Sequence, residues 1–140
     1  MQTILLVDAD AELLAASADF LAAPNRVVLT RSDGYEALRL LVERPVDLLI
    51  TDVKMPGITG FTLARLATLV RPNLRVVYTA GYDCTTGSRG ELAAGPLLRK
   101  PFRHGQLLQA VDASISYDGS RSPSAPLLGR ATMGWARSAA

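Results

Sequence analysis

The sequence has few of the residues that stabilise small secreted or metal-bound domains. Its 140 residues include one cysteine, Cys84, and one histidine, His104. A single cysteine excludes an internal disulfide and a cysteine-based zinc site. No apolar run approaches the roughly 18 residues that a membrane span needs, and the start lacks the basic segment and cleavage site of a secretory signal. We therefore expect a cytoplasmic protein that does not bind a membrane.

Acidic residues are absent from the C-terminal part of the chain. Residues 119–140 contain three arginines and no aspartate or glutamate. The whole chain has a formal charge of +2, whereas residues 1–118 alone have a charge of −1. Three scattered arginines do not form the basic surface that binding to nucleic acid requires, so no nucleic-acid partner is predicted.

The same C-terminal part lacks the hydrophobic periodicity of the preceding residues. Small residues, proline and arginine dominate it, which predicts a folded domain over residues 1–118 and a flexible C-terminal tail over residues 119–140. The tail nevertheless contains four large apolar residues, Leu127, Leu128, Met133 and Trp135. They leave open a second interpretation, in which the tail is a docking segment that folds onto the domain, a second copy or a partner.

Short apolar runs alternate with segments of helical periodicity along the domain. The near-continuous runs at residues 4–7, 27–29, 48–50, 76–78 and 97–98 are typical of strands that are covered on both faces. Helical spacing is found over residues 11–23, 34–43, 61–70 and 104–115, with a weaker, glycine-containing helix at 85–94. In the second helix, Leu38, Leu41 and Val42 are predicted to face inward. The alternation predicts an α/β fold with a parallel sheet.

Polar and charged residues follow four of the five predicted strands. Asp8 follows the first, Asp52 the third and Thr79 the fourth. Lys100 follows the fifth and is one of only two lysines, against thirteen arginines. The carboxyl ends of parallel strands share one edge of the sheet, where α/β proteins bind their ligands. The sequence therefore predicts that these four side chains converge at that edge.

The chemistry of these residues is complementary. Two carboxylates that lie close together repel one another, so a positive charge has to lie beside them. Mg²⁺ prefers oxygen ligands and suits Asp8 and Asp52, and Lys100 adds a second positive charge. A carboxylate in such surroundings can attack phosphorus and form an aspartyl phosphate, while the cations neutralise the transferring phosphoryl oxygens. The residue types predict a phosphoryl-transfer site.

Three short motifs resemble a known family. They are Asp-Val-Lys-Met-Pro-Gly at residues 52–57, Thr-Ala-Gly at residues 79–81 and Lys-Pro-Phe at residues 100–102. Together they closely resemble the receiver domains of bacterial two-component response regulators, and the resemblance extends over about residues 2–116. It implies a flavodoxin-like α/β fold with a five-stranded parallel sheet in the order 2-1-3-4-5 and helices on both faces.

The resemblance also implies roles for individual residues. Asp52 would be the phosphoacceptor, phosphorylated by a histidine kinase or a phosphorelay partner, with Thr79 as the switch hydroxyl and Lys100 as the phosphoryl-binding lysine. Asp8, Asp52 and the backbone carbonyl of Lys54 would be the Mg²⁺ ligands. The peptide bond between Lys100 and Pro101 would be cis.

The sequence departs from the family pattern at two positions. Ala9 stands where receivers usually have a second acid that contacts the metal, which predicts weakened Mg²⁺ binding. The nearby Asp10 is expected to cap the first helix instead. Leu97 stands where many receivers have an aromatic residue that couples phosphorylation to the signalling face, a role left to Tyr82 or Phe102.

We therefore expect a stand-alone response regulator receiver that is not an enzyme, although it catalyses its own phosphorylation and dephosphorylation. Its output would be contact with a downstream protein target, and its state a monomer or weak dimer. The alternative is a pseudo-receiver, an interaction module that Ala9 prevents from being usefully phosphorylated. A phosphohydrolase is disfavoured because Lys54 stands where haloacid dehalogenase-type enzymes place a second aspartate.

Overall fold

The computed structural model describes residues 1–81 and 96–116. It contains a five-stranded parallel sheet in the order β2-β1-β3-β4-β5. The strands are β1 (Gln2–Val7), β2 (Arg26–Arg31), β3 (Leu48–Asp52), β4 (Arg75–Ala80) and β5 (Leu97–Arg99). The helices of these residues are α1 (Ala11–Leu21), α2 (Gly34–Glu43), α3 (Gly60–Val70) and α4 (His104–Ser116). The predicted fold class and strand order are confirmed.

Some predictions fall outside the described residues. These are the weak helix at residues 85–94, Tyr82, Cys84 and the tail over residues 119–140. Among the described residues, no helix has the length and hydropathy that crossing a membrane requires.

Aspartates begin the first two helices. The Asp10 carboxylate accepts hydrogen bonds from two backbone N–H groups in the first turn of α1, and Asp33 does the same for α2. Such caps satisfy helix donors that have no partner within the helix. Capping by Asp10 is therefore confirmed. Helix α1 ends at Leu21, two residues earlier than expected, because Pro24 disfavours a helical conformation at the residue before it.

Apolar side chains pack on both faces of the sheet. In β1, Leu5 and Val7 belong to the cluster beneath α2 and α3, whereas Ile4 and Leu6 belong to the cluster beneath α1 and α4. Successive side chains of a strand point to opposite faces, so a strand that is covered on both faces needs an unbroken apolar run. The sheet with helices on both faces explains the sequence pattern from which it was predicted.

One predicted core residue lies at the surface. Val42 has 55% of its area exposed, and the buried face of α2 is formed by Ala37, Leu40 and Leu41. These three positions share the spacing of i, i+3 and i+4 and therefore lie on one face of a helix. Val42 follows Leu41 by about 100° of helical rotation and points away from the sheet. The prediction that Val42 faces inward was wrong.

Glycine at the start of α3 allows the helix to approach the end of β3. A Cβ atom on Gly60 would lie 2.2 Å from the backbone oxygen of Asp52, far inside van der Waals contact. The amide of Gly60 also donates a hydrogen bond to the carbonyl of Val53. Any larger residue at this position would displace the strand end that carries Asp52.

Candidate functional site

The predicted site residues meet at the carboxyl edge of the sheet. Asp52 is the last residue of β3 and is paired in register with Thr79 in the neighbouring strand β4. Asp8 follows β1 directly, and Lys100 follows β5 directly. Because β1, β3, β4 and β5 are adjacent and parallel, their ends present these side chains to the same space.

The ammonium group of Lys100 joins the two carboxylates. Its Nζ lies 2.8 Å from Asp8 Oδ2 and 3.3 Å from Asp52 Oδ2. Asp8 and Asp52 are buried, with 5% and 7% of their areas exposed, and Thr79 is equally buried. Charge pairs that are shielded from water are screened less than surface pairs. The ammonium group of Lys100 and the carboxylates of Asp8 and Asp52 therefore form one electrostatic unit at this edge.

Backbone hydrogen bonds hold each member of this unit in place. Asp8 Oδ1 accepts the amide of Asp10 at 2.9 Å, which leaves Oδ2 for Lys100. The Lys100 amide donates to the carbonyl of Ala80 at 2.7 Å, so the lysine is anchored to β4. The amide of Val53 donates to the carbonyl of Thr79 at 2.9 Å. The cis peptide bond between Lys100 and Pro101 is confirmed.

Burial and charge perturb two of the three groups. Burial raises the pKa of the Asp52 carboxyl above its ordinary value, the negative charge of Asp8 raises it further, and Lys100 only partly offsets this increase. Burial also acts against the charged form of Lys100. The hydrogen bond to Asp8 and the charges of Asp52 and Asp8 outweigh that effect, so the pKa of Lys100 is raised. Ionisation of Asp52 is therefore opposed, while Lys100 keeps its charge.

Among the described residues, two carboxylates rather than three lie within reach of Lys100, those of Asp8 and Asp52. Ala9 offers no carboxylate, and the side chain of Asp10 is engaged in capping α1. The described residues contain no group of three or more histidine, cysteine, aspartate or glutamate side chains that could hold a metal. Asp8, Asp52 and the backbone carbonyl of Lys54 fit Mg²⁺ in kind, because all three offer oxygen. They supply fewer charged ligands than a site with a second acid after β1.

Sequence reasoning missed a second layer beneath the site. A small cavity of about 20 Å³ lies under the edge, lined among others by Asp8, Ser17, Thr79 and Phe102. Ser17 is buried on the inner face of α1 between Leu14 and Leu21. A serine at a position where the helical pattern calls for an apolar residue was the available signal. This volume is close to that of a single water site, and the lining carries both polar and apolar groups.

Of the two aromatic residues considered for the coupling role, Tyr82 lies outside the described residues, and Phe102 lies on the other face of the sheet from Leu97. Leu97 is partly buried against the cluster beneath α2 and α3, to which Tyr78 also belongs. Phe102 packs against the opposite cluster and lines the small cavity. The side chain of Lys54 is exposed at the rim of the edge. Phe102 therefore lines the same small cavity as Asp8 and Thr79.

The fold and this arrangement define a class of protein. The family model described as "Response regulator receiver domain" matches residues 4–112. The chain therefore belongs to the response regulator receiver family, whose domains act as phosphoacceptor switches in two-component signalling and are generally not enzymes. Receiver domains generally bind Mg²⁺ at the phosphorylation site and interact with histidine kinases or phosphotransfer proteins and with downstream targets.

Individual relatives agree with this assignment. The chain is 29% identical over 117 residues to the response regulator receiver protein CpdR of Brucella abortus, with 82% of this chain and 98% of CpdR covered. It is 35% identical over 116 residues to the transcriptional regulatory protein CpxR of Klebsiella pneumoniae, of which it spans 50%.

Solved structures show the same architecture. The response regulator protein TrrA of Thermotoga maritima, solved in complex with Mg²⁺ and BeF, has a TM-score of 0.73 at 25% identity. The comparison covers 81% of this chain and 98% of TrrA. A receiver domain protein from Clostridium thermocellum has a TM-score of 0.70 at 28% identity, with 83% and 95% of the two chains covered.

Proposed function

We propose that this chain is a stand-alone receiver that accepts a phosphoryl group on Asp52 from a histidine kinase or a phosphotransfer protein. The observation that carries the proposal is the position of Lys100, whose Nζ contacts carboxylate oxygens of both Asp52 and Asp8. A buried carboxylate beside a fixed ammonium group is arranged to act as a nucleophile while the developing charge is neutralised.

The transfer step follows from these positions. A carboxylate oxygen of Asp52 attacks the phosphorus of a phosphohistidine, the new O–P bond forms, and the P–N bond breaks. The histidine nitrogen leaves with the electron pair of that bond and takes up a proton. Lys100, already at 3.3 Å from Asp52 Oδ2, neutralises the transferred phosphoryl oxygens. When bound by Asp8, Asp52 and the carbonyl of Lys54, Mg²⁺ would neutralise further phosphoryl charge.

The output rests on redistribution of contacts at the edge. An aspartyl phosphate offers new oxygen acceptors to Lys100 and to the Thr79 hydroxyl. Hydrogen bonds to these oxygens would draw both groups toward Asp52. Such a change shifts an existing equilibrium between two packings of the neighbouring surface. We include in the proposal a receiver over residues 1–118, a monomer or weak dimer, a cytoplasmic location and a protein target for the output.

Mass spectrometry of the intact chain tests the proposal. The protein is incubated with acetyl phosphate, and separately with a phosphorylated phosphotransfer protein, across a Mg²⁺ series. We expect one added phosphoryl group in the wild type and in Asp10→Asn, which keeps a capping side chain at the same edge. Asp52→Asn should gain none. Equal phosphorylation of the wild type and Asp52→Asn would refute Asp52 as the acceptor.

Ala9 favours a second candidate function, a pseudo-receiver that keeps the fold without being usefully phosphorylated. Fewer charged ligands weaken binding of a hard divalent cation, and the capping role of Asp10 removes the nearest substitute. Absence of the phosphoryl group with both donors at every Mg²⁺ concentration would favour this candidate. The Ala9→Asp variant then separates the two, because it should restore phosphorylation if the missing acid is the cause.

A further inference from the structure

A groove of about 250 Å³ lies at the edge of the sheet opposite Asp52. It is formed by the connection between α2 and β3 and the connection between α3 and β4. Its apolar lining consists of Pro45, Val46, Val70, Pro72 and Leu74. We call it the α2/α3 groove. Val70 is 41% exposed, so an apolar side chain is open to solvent at the rim.

Hydrogen bonds fix the walls of the groove. Arg71 donates from Nε to the carbonyl of Leu41 at 3.0 Å and from Nη2 to that of Val42 at 3.4 Å, which ties the end of α3 to the end of α2. Asp47 is tied to Thr3 of β1 by two hydrogen bonds, one from its own amide and one to its carboxylate. Because the walls are already ordered, binding of a ligand would not be opposed by the entropy cost of ordering them.

The chain leaves the domain at the same edge. Arg26, the first residue of β2, lies 3.7 Å from Asp112 in the last turns of α4. The C-terminal end of α4 is therefore at the edge where the strands begin. Asp47 and Leu74, which both line the groove, directly precede β3 and β4, so the groove lies at this edge as well. The chain therefore leaves the domain, after Ser116, at the edge that holds the groove.

The length and composition of the following segment suit it to reach and fill the groove. Roughly ten residues precede Leu127, and they can span up to about 33 Å, whereas a domain of about 100 residues has a radius of gyration near 13 Å. Leu127, Leu128, Met133 and Trp135 are the large apolar residues of a segment that is otherwise composed mainly of small residues, proline and arginine.

The charges of the groove are compatible with this occupant. The segment over residues 119–140 has three arginines and no acid, whereas residues 1–118 have a net charge of −1. The groove is lined by one acidic and one basic residue, Asp47 and Arg71. The Arg71 guanidinium is engaged by the carbonyls of Leu41 and Val42, whereas Asp47 is exposed to solvent. We propose that residues 127–135 of the same chain dock in the α2/α3 groove through their apolar side chains. This interaction surface is distinct from the edge that carries Asp52.

The single tryptophan of the chain, Trp135, provides the test. Its emission and its quenching by acrylamide are measured in the full chain and in a free peptide of residues 117–140. We expect emission at shorter wavelength and weaker quenching in the full chain. Val70→Asp, which places a charge in the groove, should return both values to those of the peptide. Leu69→Asp is the matched control, since the neighbouring Leu69 is 76% exposed and does not line the groove.

If Val70→Asp disturbs folding, variants in the tail provide a second test of the proposal. Leu127→Ser combined with Leu128→Ser leaves the domain unchanged and should also return Trp135 to peptide-like emission. Identical quenching in the wild-type chain and the peptide would overturn the proposal. If Leu69→Asp and Val70→Asp abolished the blue shift of Trp135 and its protection from quenching to the same extent, the proposal would also be overturned. A blue shift that vanishes on dilution would assign the groove to the tail of a second copy and overturn docking within one chain.

Discussion

Lys100 makes its shorter contact with Asp8 rather than with Asp52. The distances from Nζ are 2.8 Å to Asp8 Oδ2 and 3.3 Å to Asp52 Oδ2. Asp8 is itself held by the amide of Asp10. The first carboxylate therefore positions the lysine, and Asp52 lies beside a cation whose principal partner is another residue. This arrangement leaves the Asp52 carboxylate with fewer competing hydrogen bonds when a phosphoryl donor arrives.

Asp8→Asn should weaken Mg²⁺ binding and loosen Lys100. The change removes one of two carboxylates at the site and the stronger partner of the lysine, so we expect the Mg²⁺ midpoint of phosphorylation to rise by about tenfold or more. The midpoint is measured by intact mass across a Mg²⁺ series. Asp10→Asn is the control with an unchanged midpoint. An unchanged midpoint in Asp8→Asn would show that Asp8 takes no part in holding the metal.

Lys100→Gln should slow phosphorylation by on the order of 100-fold, the loss seen when a fixed group that stabilises transition-state charge is removed. Glutamine keeps hydrogen-bonding capacity but not the charge. Arg103→Gln, which removes an exposed cation close by in the chain, should phosphorylate at the wild-type rate. The rate is followed with acetyl phosphate at saturating Mg²⁺. Equal slowing in both variants would point to a general loss of positive charge rather than to the position of Lys100.

Asp52→Asn should raise the free energy of unfolding at neutral pH in the absence of metal. The pKa of Asp52 is raised in the folded state above its ordinary value of 3.8, so ionised Asp52 opposes folding at any pH above its folded-state pKa. Asparagine removes this cost. The advantage should shrink as the pH falls through the raised pKa and vanish below 3.8, where both states of the wild type are protonated.

Urea unfolding at neutral pH and near pH 4 measures the Asp52→Asn effect. Asp10→Asn, with its exposed carboxylate, gives the reference for losing an acid at this edge. The argument fails if Asp52→Asn is less stable than the wild type at neutral pH, or if its advantage is the same at both pH values.

Gly60→Ala should destabilise the fold by about 1–3 kcal/mol, the usual cost of forcing extra atoms into a packed site. The new Cβ would lie 2.2 Å from the backbone oxygen of Asp52. Gly105→Ala is the matched control in α4, because nothing lies within 4 Å of its Cβ position. That control should be neutral or more stable by up to about 1 kcal/mol, since alanine favours helices. Denaturant midpoints decide between the two expectations.

The sequence predicted the fold and the meeting of Asp8, Asp52 and Lys100 because strand ends are easy to recognise. Apolar runs mark the buried strands, and in a parallel sheet the residue after each run lies at the same edge. Val42 was misplaced because an apolar residue beside Leu41 cannot be assigned to a face without knowing the helix phase. Ser17 was missed because a serine is polar and was not counted with the apolar residues of α1, although its spacing from Leu14 and Leu21 places it on their buried face.

The partners of Lys100 could not be ranked from the sequence. Lys100 Nζ lies 2.8 Å from Asp8 and 3.3 Å from Asp52. This difference depends on the hydrogen bond that the backbone amide of Asp10 donates to Asp8 Oδ1. That bond arises from the turn between β1 and α1, which composition and spacing do not describe.

The hydrogen bonds at the start of α1 form a continuous relay that begins at the site. Lys100 contacts Asp8, Asp8 accepts the amide of Asp10, and the Asp10 carboxylate accepts the amides of Glu12 and Leu13. Withdrawal of the lysine from Asp8 therefore alters the electric field along this relay. The amide resonances of Glu12 and Leu13 consequently offer a spectroscopic reporter of site occupancy in a chain whose only tryptophan lies in the tail.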